Sequence, residues 1–303
     1  MPRVSIIITS YNQEEYLREA IESVISQTRK PDQIIVADDH STKDNTVETI
    51  ERYAGQHPGW IQPLFQKENV GIPKNRNRAL RLVTGDYVAI LDGDDRFLPN
   101  NIENQLGALA ENPEAGCSYS NRYSIDERGA RTGIRDSCPM PSGDILFHVA
   151  CGRSGIVRSM LGRFALIEAA GFLDERFPLH DGFILSLRLA RLTRFVYMPE
   201  PLVEKREHRG GISKALLNKQ RVQYYEDVFS EVSKVTSHLP QWQRRRIKKL
   251  WLRRLLDARV MAEVEAGRTS RAWLEIARGF ARDPGNIRSV RSLIKHVLNS
   301  SAM

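Results

Sequence analysis

The sequence predicts an α/β protein: a mostly parallel, Rossmann-like sheet flanked by helices, followed by a helical C-terminal appendage. Three observations lead there. Strand-like and helix-like patterns alternate over about the first hundred residues, the signature of right-handed βαβ units. Three of the strand patterns end in polar or acidic groups, at Thr9/Tyr11, Asp38/Asp39 and Asp92/Asp94. The chain has 303 residues and is 41% hydrophobic, enough for one sizeable domain plus an appendage.

The elements follow in order. Val4 to Ile8 is an apolar strand that runs into Thr9-Ser10-Tyr11-Asn12. Tyr16, Leu17, Ala20, Ile21, Val24 and Ile25 recur at helical spacing. Gln33 to Ala37 is a second strand, closing on Asp38 and Asp39. Asp44 or Thr42 can cap a helix over Thr46 to Tyr53. Trp60 to Gln66 reads as a short strand, and Ala79 to Leu82 belongs to a helix that Gly85 breaks. Tyr87 to Leu91 is a further apolar strand, ending in Asp92-Gly93-Asp94-Asp95. Strand ends of a parallel sheet share one edge, so the polar groups are expected to converge on one crevice, where open α/β sheets bind ligands.

The acidic cluster carries the most chemistry. Three carboxylates within four residues repel one another unless a cation or a hydrogen-bond network compensates them. Mg²⁺ and Mn²⁺ take oxygen ligands, typically one or two carboxylates plus substrate phosphates. A solvated acidic turn leading to the next helix at Pro99 is the plainer alternative.

Ser5-Ile-Ile-Ile-Thr-Ser-Tyr-Asn12, Gln27-Thr28, Val36-Ala-Asp-Asp-His-Ser-Thr42, Asn69-Val-Gly71, Arg76-Asn77 and Leu91-Asp-Gly-Asp-Asp95 occur in that order. Gly171-Phe-Leu-Asp-Glu-Arg-Phe177, His180-Asp181, Leu187-Arg-Leu-Ala190, Pro199-Glu-Pro-Leu-Val203 and His208-Arg-Gly-Gly-Ile-Ser213 follow. This string, over about residues 3 to 213, resembles the family 2 glycosyltransferases of the GT-A fold. The resemblance implies a nucleotide-sugar donor, expected to be a UDP-sugar, and an inverting displacement at the anomeric carbon. It implies that Thr9, Tyr11 and Asp39 hold the nucleoside, that Arg76 lies near the donor phosphates, and that Asp92 and Gly93 contact the donor. Asp94 would bind a divalent cation, Mn²⁺ or Mg²⁺, with His208 able to complete that site and Asp95 orienting its neighbours. Asp181 matches the family's general base. The family usually has Glu-Asp where this chain has His180-Asp181, so the base keeps its place and its neighbour changes. Asp181 could also simply cap the helix over Ile184 to Leu192. Gly210-Gly211 suggests a loop that closes over the donor.

The same reading divides the chain into a catalytic domain, 1–214, and a basic appendage, 215–303. Within the first, 1–100 would be the nucleotide-binding half and 101–214 the acceptor half, for a glycan or lipid-linked acceptor. The basicity lies in the appendage: 18 Lys/Arg against 8 Asp/Glu from Ala215 onward, a net +10 within a chain of net +8. Gln241 to Arg259 has Ile247, Leu250, Trp251 and Leu255 near helical spacing among many cations. Such a helix can pack its apolar stripe on protein, self-associate, or lie on an anionic membrane. Nucleic acid is not an expected partner. Cys117, Cys138 and Cys151 are odd in number and lack Cys-x-x-Cys spacing, which argues against a disulfide framework or a zinc site. No signal-peptide pattern and no run of about 18 apolar residues is evident, so a cytoplasmic protein is expected, with peripheral contact at the inner membrane face open. A sugar-nucleotide nucleotidyltransferase would carry a Gly-rich basic loop after the first strand, where this chain has Thr9-Ser10-Tyr11-Asn12. A silent scaffold would not need Asp39, Asp92, Asp94 and Asp181 together.

Overall fold

The computed structural model describes residues 1–135, 140–152, 156–207 and 218–283, with Leu293, Ile294 and Val297. It divides into two compact units, Met1–Gly211 and Ile212–Met303.

In the first unit the strands are β1 (Val4–Ser10), β2 (Gln33–Asp38), β3 (Ile61–Phe65), β4 (Tyr87–Asp92), β5 (Arg96–Phe97), β6 (Ala115–Ile125), β7 (Arg131–Ile134), β8 (Met160–Arg163) and β9 (Arg194–Arg206). The helices are α1 (Glu14–Ile25), α2 (Thr46–Gln56), α3 (Ile72–Leu80), α4 (Asn101–Glu111), α5 (Leu146–Ala150), α6 (Phe164–Ala169) and α7 (Asp181–Leu192), with a 3₁₀ turn at Val157–Ser159. One sheet runs in the order β3-β2-β1-β4-β8-β6-β9-β5, with β7 paired to β6. The expected α/β class is what the structure shows.

The four strands β3-β2-β1-β4 are all parallel, each joined to the next by a helix. Beyond β4 the orientations mix. β8 is antiparallel to both β4 and β6, β5 is antiparallel to β9, and β6 and β9 are parallel. The five residues between β6 and β7 are too few for a parallel crossover and make a hairpin.

Alternate residues of β1 (Val4, Ile6, Ile8) and β4 (Tyr87, Ala89, Leu91) are buried with Leu17, Ala20, Ile21 and Val24 of α1 in one core cluster. Asp44 accepts hydrogen bonds from the Thr46 amide (3.2 Å) and the Glu14 amide (3.0 Å), serving the first turns of α2 and α1 together. Thr42 is not the cap; its amide donates to Asn12 instead.

Asp174, in the Gly171–Phe177 stretch, locks the approach to α7. It accepts from Arg176 at 2.7 Å and from Arg188 of α7 at 2.6 Å. The Arg176 bond leads in pulling its carboxyl down to about 2. A depressed carboxylate contributes stability above its unfolded value, about 3.9, and that contribution is lost as pH falls through the folded value. Urea midpoints are therefore expected to drop for the wild type between about pH 4 and pH 2. Asp174→Asn should start lower and lose less over that window; parallel acid profiles would refute the assignment.

The second unit holds α8 (Asn218–Val235), α9 (Gln241–Glu265) and α10 (Thr269–Arg282). Of the expected apolar stripe, Ile247, Trp251 and Leu255 are buried, and Trp251 stacks on Phe229 of α8 with centroids 6.2 Å apart. Val260, Ala272, Ile276 and Leu293 form a second small core. Gly279 lets α10 approach α9, since a Cβ there would lie 2.3 Å from Leu256.

Candidate active site

β2, β1 and β4 are contiguous, and their register sets Thr9 beside both Ala37 and Asp92, and Ser10 beside Asp38. The three polar strand ends therefore share one edge, as the period of the strands required. Gly93 lies so close to β1 that a Cβ would meet the Thr9 carbonyl oxygen at 2.8 Å, the atom that accepts the Gly93 amide. Tyr11 is 42% exposed, leaving ring surface open at this edge. Asn12 and His40, just past Tyr11 and Asp39, hold positive φ of 51° and 67°, a conformation that non-glycine residues adopt mainly where the surroundings impose it.

The two acids at the end of β2 do different things. Asp38 binds the Ser41 amide (2.8 Å) and hydroxyl (2.5 Å) and so folds its own loop. Asp39 is buried, and its two oxygens accept from the amides of Val70 (2.8 Å) and Gly71 (2.9 Å). It thus latches the Asn69–Gly71 turn that leads into α3. Each carboxylate oxygen keeps a second lone pair for another donor.

α3 buries three polar side chains, Asn75, Arg76 and Asn77, because each finds a partner. Asn75 donates to the Ala37 carbonyl (3.0 Å), and Asn77 both donates to the Leu173 carbonyl (2.9 Å) and accepts its amide (3.0 Å). These bonds fix Arg76 between them. The Arg76 guanidinium is buried and bridges two acids: Nη1 donates to Asp181 at 2.5 Å, and Nη2 pairs with Asp92. Its charge persists because the opposing effect of burial is outweighed by Asp92 and then Asp181. Burial pushes Asp92 up, but Arg76 and then Arg158 hold it below the usual carboxylate range.

Asp181 is the first residue of α7. Its Oδ1 accepts the adjacent Gly182 amide at 2.7 Å, and its Oδ2 faces Arg76. The N-cap of α7 is His180, so Asp181 is not the helix cap that the sequence allowed; it lies inside the first turn, and its carboxylate is turned to Arg76.

Ligand oxygens of Asp92, Asp94 and Asp95 lie within 4.8 Å of one another. Burial, then the charges of Asp94 and Asp92, pushes Asp95 well above the ordinary carboxylate range. Such a set of crowded hard oxygen donors fits Mg²⁺ or Mn²⁺. His208, expected to complete the set, lies outside the described residues, as do Gly210 and Gly211.

Two residues at the site, Arg158 and Arg206, have no place in the sequence reading. Arg158, in the 3₁₀ turn, reaches to 3.7 Å from Asp92. Arg206, ending β9, donates through Nε to the Asp94 carbonyl (3.0 Å) and through its amide to Asp95 (2.9 Å). Its guanidinium also lies over the Tyr16 ring at 4.4 Å and pairs with Glu19 at 2.6 Å, so one buried side chain ties the acidic turn to α1. No local pattern marked either: Arg206 follows Glu204 and Lys205 at the end of β9, and Arg158 sits in a short turn.

The family description "Glycosyl transferase family 2" matches residues 5–161, more than half of the chain. The chain belongs to glycosyltransferase family 2. An uncharacterized Mycobacterium tuberculosis protein is 36% identical over 69% of this chain. This chain spans 60% of that relative's length. Staphylococcus aureus TarS 1–349, solved with UDP-GlcNAc, superposes with a TM-score of 0.70 at 17% identity, covering 96% of this chain and 90% of its own. The Pyrobaculum calidifontis mannosyltransferase PcManGT, solved with GDP-Man and Mn²⁺, gives 0.58 at 17% identity, covering 99% and 86%. At that identity the likeness establishes the shared GT-A fold. The matched stretch includes every strand end of the parallel half and Arg158; α7, with Asp181, lies beyond it. This glycosyltransferase has no helix among its described residues long and apolar enough to cross a membrane.

Proposed function

We propose that this glycosyltransferase moves a sugar from a UDP-sugar to a hydroxyl of a glycan or lipid-linked acceptor, inverting the anomeric centre, with Asp181 as the base. The observation that carries this is the Asp92–Arg76–Asp181 bridge, which joins an acid at the donor-side strand edge to an acid on α7. Thr9, Tyr11 and Asp39 would hold the nucleoside: Tyr11 by its exposed ring, Asp39 by an oxygen lone pair directed at a base N–H. The S. aureus neighbour's UDP-GlcNAc supports a uridine donor, and the metal in the archaeal neighbour supports a divalent cation. Residues 1–100 would serve the donor and 101–214 the acceptor.

The acceptor hydroxyl gives its proton to Asp181 as its oxygen bonds to the anomeric carbon. The bond from that carbon to the diphosphate oxygen breaks on the opposite face, so an α-linked donor yields a β-linked product. Asp92 and Gly93 would contact the donor and Asp94 would hold the cation, which when bound stabilises negative charge on the departing diphosphate. Arg76 fixes Asp181 so that its remaining lone pairs face the acceptor, and Arg158 adds positive charge beside Asp92. The cationic appendage would give peripheral contact with an anionic membrane, bringing a lipid-linked acceptor near.

Calorimetric titration tests the donor half of this reading. Mn²⁺ is expected to strengthen UDP binding about tenfold or more, and Asp94→Asn should erase that gain. Asp39→Ala should weaken UDP with or without metal, and GDP should bind less well than UDP. Equal UDP affinity in chelator and in Mn²⁺, for wild type and Asp94→Asn alike, would overturn the metal assignment.

A further inference from the structure

The second unit carries a cavity of about 310 Å³ along the junction of α9 and α10, within the size range of small-molecule sites. Its wall is apolar at Leu252, Leu255 and Leu256, and Leu252 is 42% exposed. Its edge is cationic, with six Lys or Arg against Glu275 and Asp283. Part of that charge is spent internally. Lys249 and Arg253 both pair with Asp283 (3.0 and 2.8 Å), Arg278 pairs with Glu275 (2.9 Å), and Arg259 pairs with Glu226 (2.6 Å). Arg245 and Lys248, one helical turn apart on α9 and both exposed, have no acidic partner among the described residues. Two unneutralised cations at the mouth of an apolar slot ask for a ligand with an anionic head and a hydrocarbon tail.

We propose that this groove binds one anionic phospholipid, its phosphate against Arg245 and Lys248 and one acyl chain along Leu252, Leu255 and Leu256. Charge complementarity separates this occupant from the others. A free phosphate would leave the leucine wall exposed to water. A second copy of the chain would bring another unit of net +10 against the same cationic edge. Trp242 (60% exposed), Trp273 and Phe280 of the same unit offer further apolar surface of the kind that enters a headgroup region. The proposal turns the membrane contact suggested above from a diffuse attraction into a defined lipid site. It rests on that part of the reading alone.

The test is calorimetry of the full chain with dihexanoyl phosphatidylglycerol below its micelle concentration, with dihexanoyl phosphatidylcholine and inorganic phosphate as the other arms. Saturable one-to-one binding of the glycerol lipid is expected, with the choline lipid and phosphate weaker by about tenfold or more. R245E/K248E should lose the head contact, and L252W should block the slot while keeping every charge. L252N removes apolar wall without adding bulk and covers the case in which L252W fails to fold; melting temperatures identify that case. Phosphate binding as tightly as the lipid, L252W and L252N both binding like wild type, or a wild-type chain that does not bind would each overturn the proposal. So would a dimer in light scattering that R245E/K248E dissolves. UDP titration of the same variants reports on the first unit separately, so a failed lipid site and a failed donor site give different results.

Discussion

Replacing Asp181 by Asn is expected to lower transfer by roughly 10²–10⁴-fold, the usual range for a removed general base, while UDP still binds. An amide cannot take the acceptor proton at neutral pH. The groups proposed for the nucleoside and the metal stand at the ends of β1, β2 and β4, and Asp92 keeps its own bond to Arg76, so donor affinity should change little. The substitution does carry a structural cost. Asp181 accepts from both the Gly182 amide and Arg76, and an Asn side chain has one acceptor oxygen for those two donors. A loss of about 1–3 kcal/mol in stability is expected alongside, so rate must be compared at a temperature where both proteins are folded. Transfer rate and the anomeric configuration of the product, read by NMR, check both claims. A near-normal rate with an intact fold would remove Asp181 as the base. A product with retained configuration would overturn the single displacement.

Arg76→Met is expected to be the most destabilising single change at the site. The guanidinium is buried between Asp92 and Asp181, and removing it leaves Asp181 without this cation and Asp92 with Arg158 at 3.7 Å. Breaking a buried ion pair by deleting one partner costs about 3–5 kcal/mol, whereas exposed pairs are worth far less. Arg76→Lys should recover only part of this, because an ammonium cannot span two acids in the planar way a guanidinium does. Urea denaturation measures the loss, and UDP titration of the Lys variant shows whether the donor edge survives. A Met variant as stable as wild type would show that the bridge contributes nothing to the fold. The site would then need another account of how Asp181 is held.

The polar edge of the parallel strands was legible in the sequence because it is a local property. A strand that ends in Thr9 or Asp92 puts those residues at the sheet edge whatever else the chain does, and helices between the strands force the edges to coincide. Asp39 was legible as an acid at a strand end but not as the latch of the 70–71 turn, since its partners lie 31 and 32 residues away. Arg206 was missed for the same reason in stronger form: its bond to the Asp94 carbonyl spans 112 residues. Arg158 pairs with an acid 66 residues earlier, from a turn with no periodic pattern to mark it.

The sequence by itself determined the α/β class, the parallel half of the sheet, the acidic strand ends and the basic helical appendage. Each follows from side-chain periodicity and charge within a few residues. Only the tertiary structure decided that Arg76 faces Asp181 across 105 residues of chain, that β6 pairs with β9 in parallel, and that Trp251 of α9 stacks on Phe229 of α8. Those are choices among partners distant in sequence. Local pattern cannot rank them, because the energy that selects them appears only when whole faces are buried together and every buried polar group must find its bond.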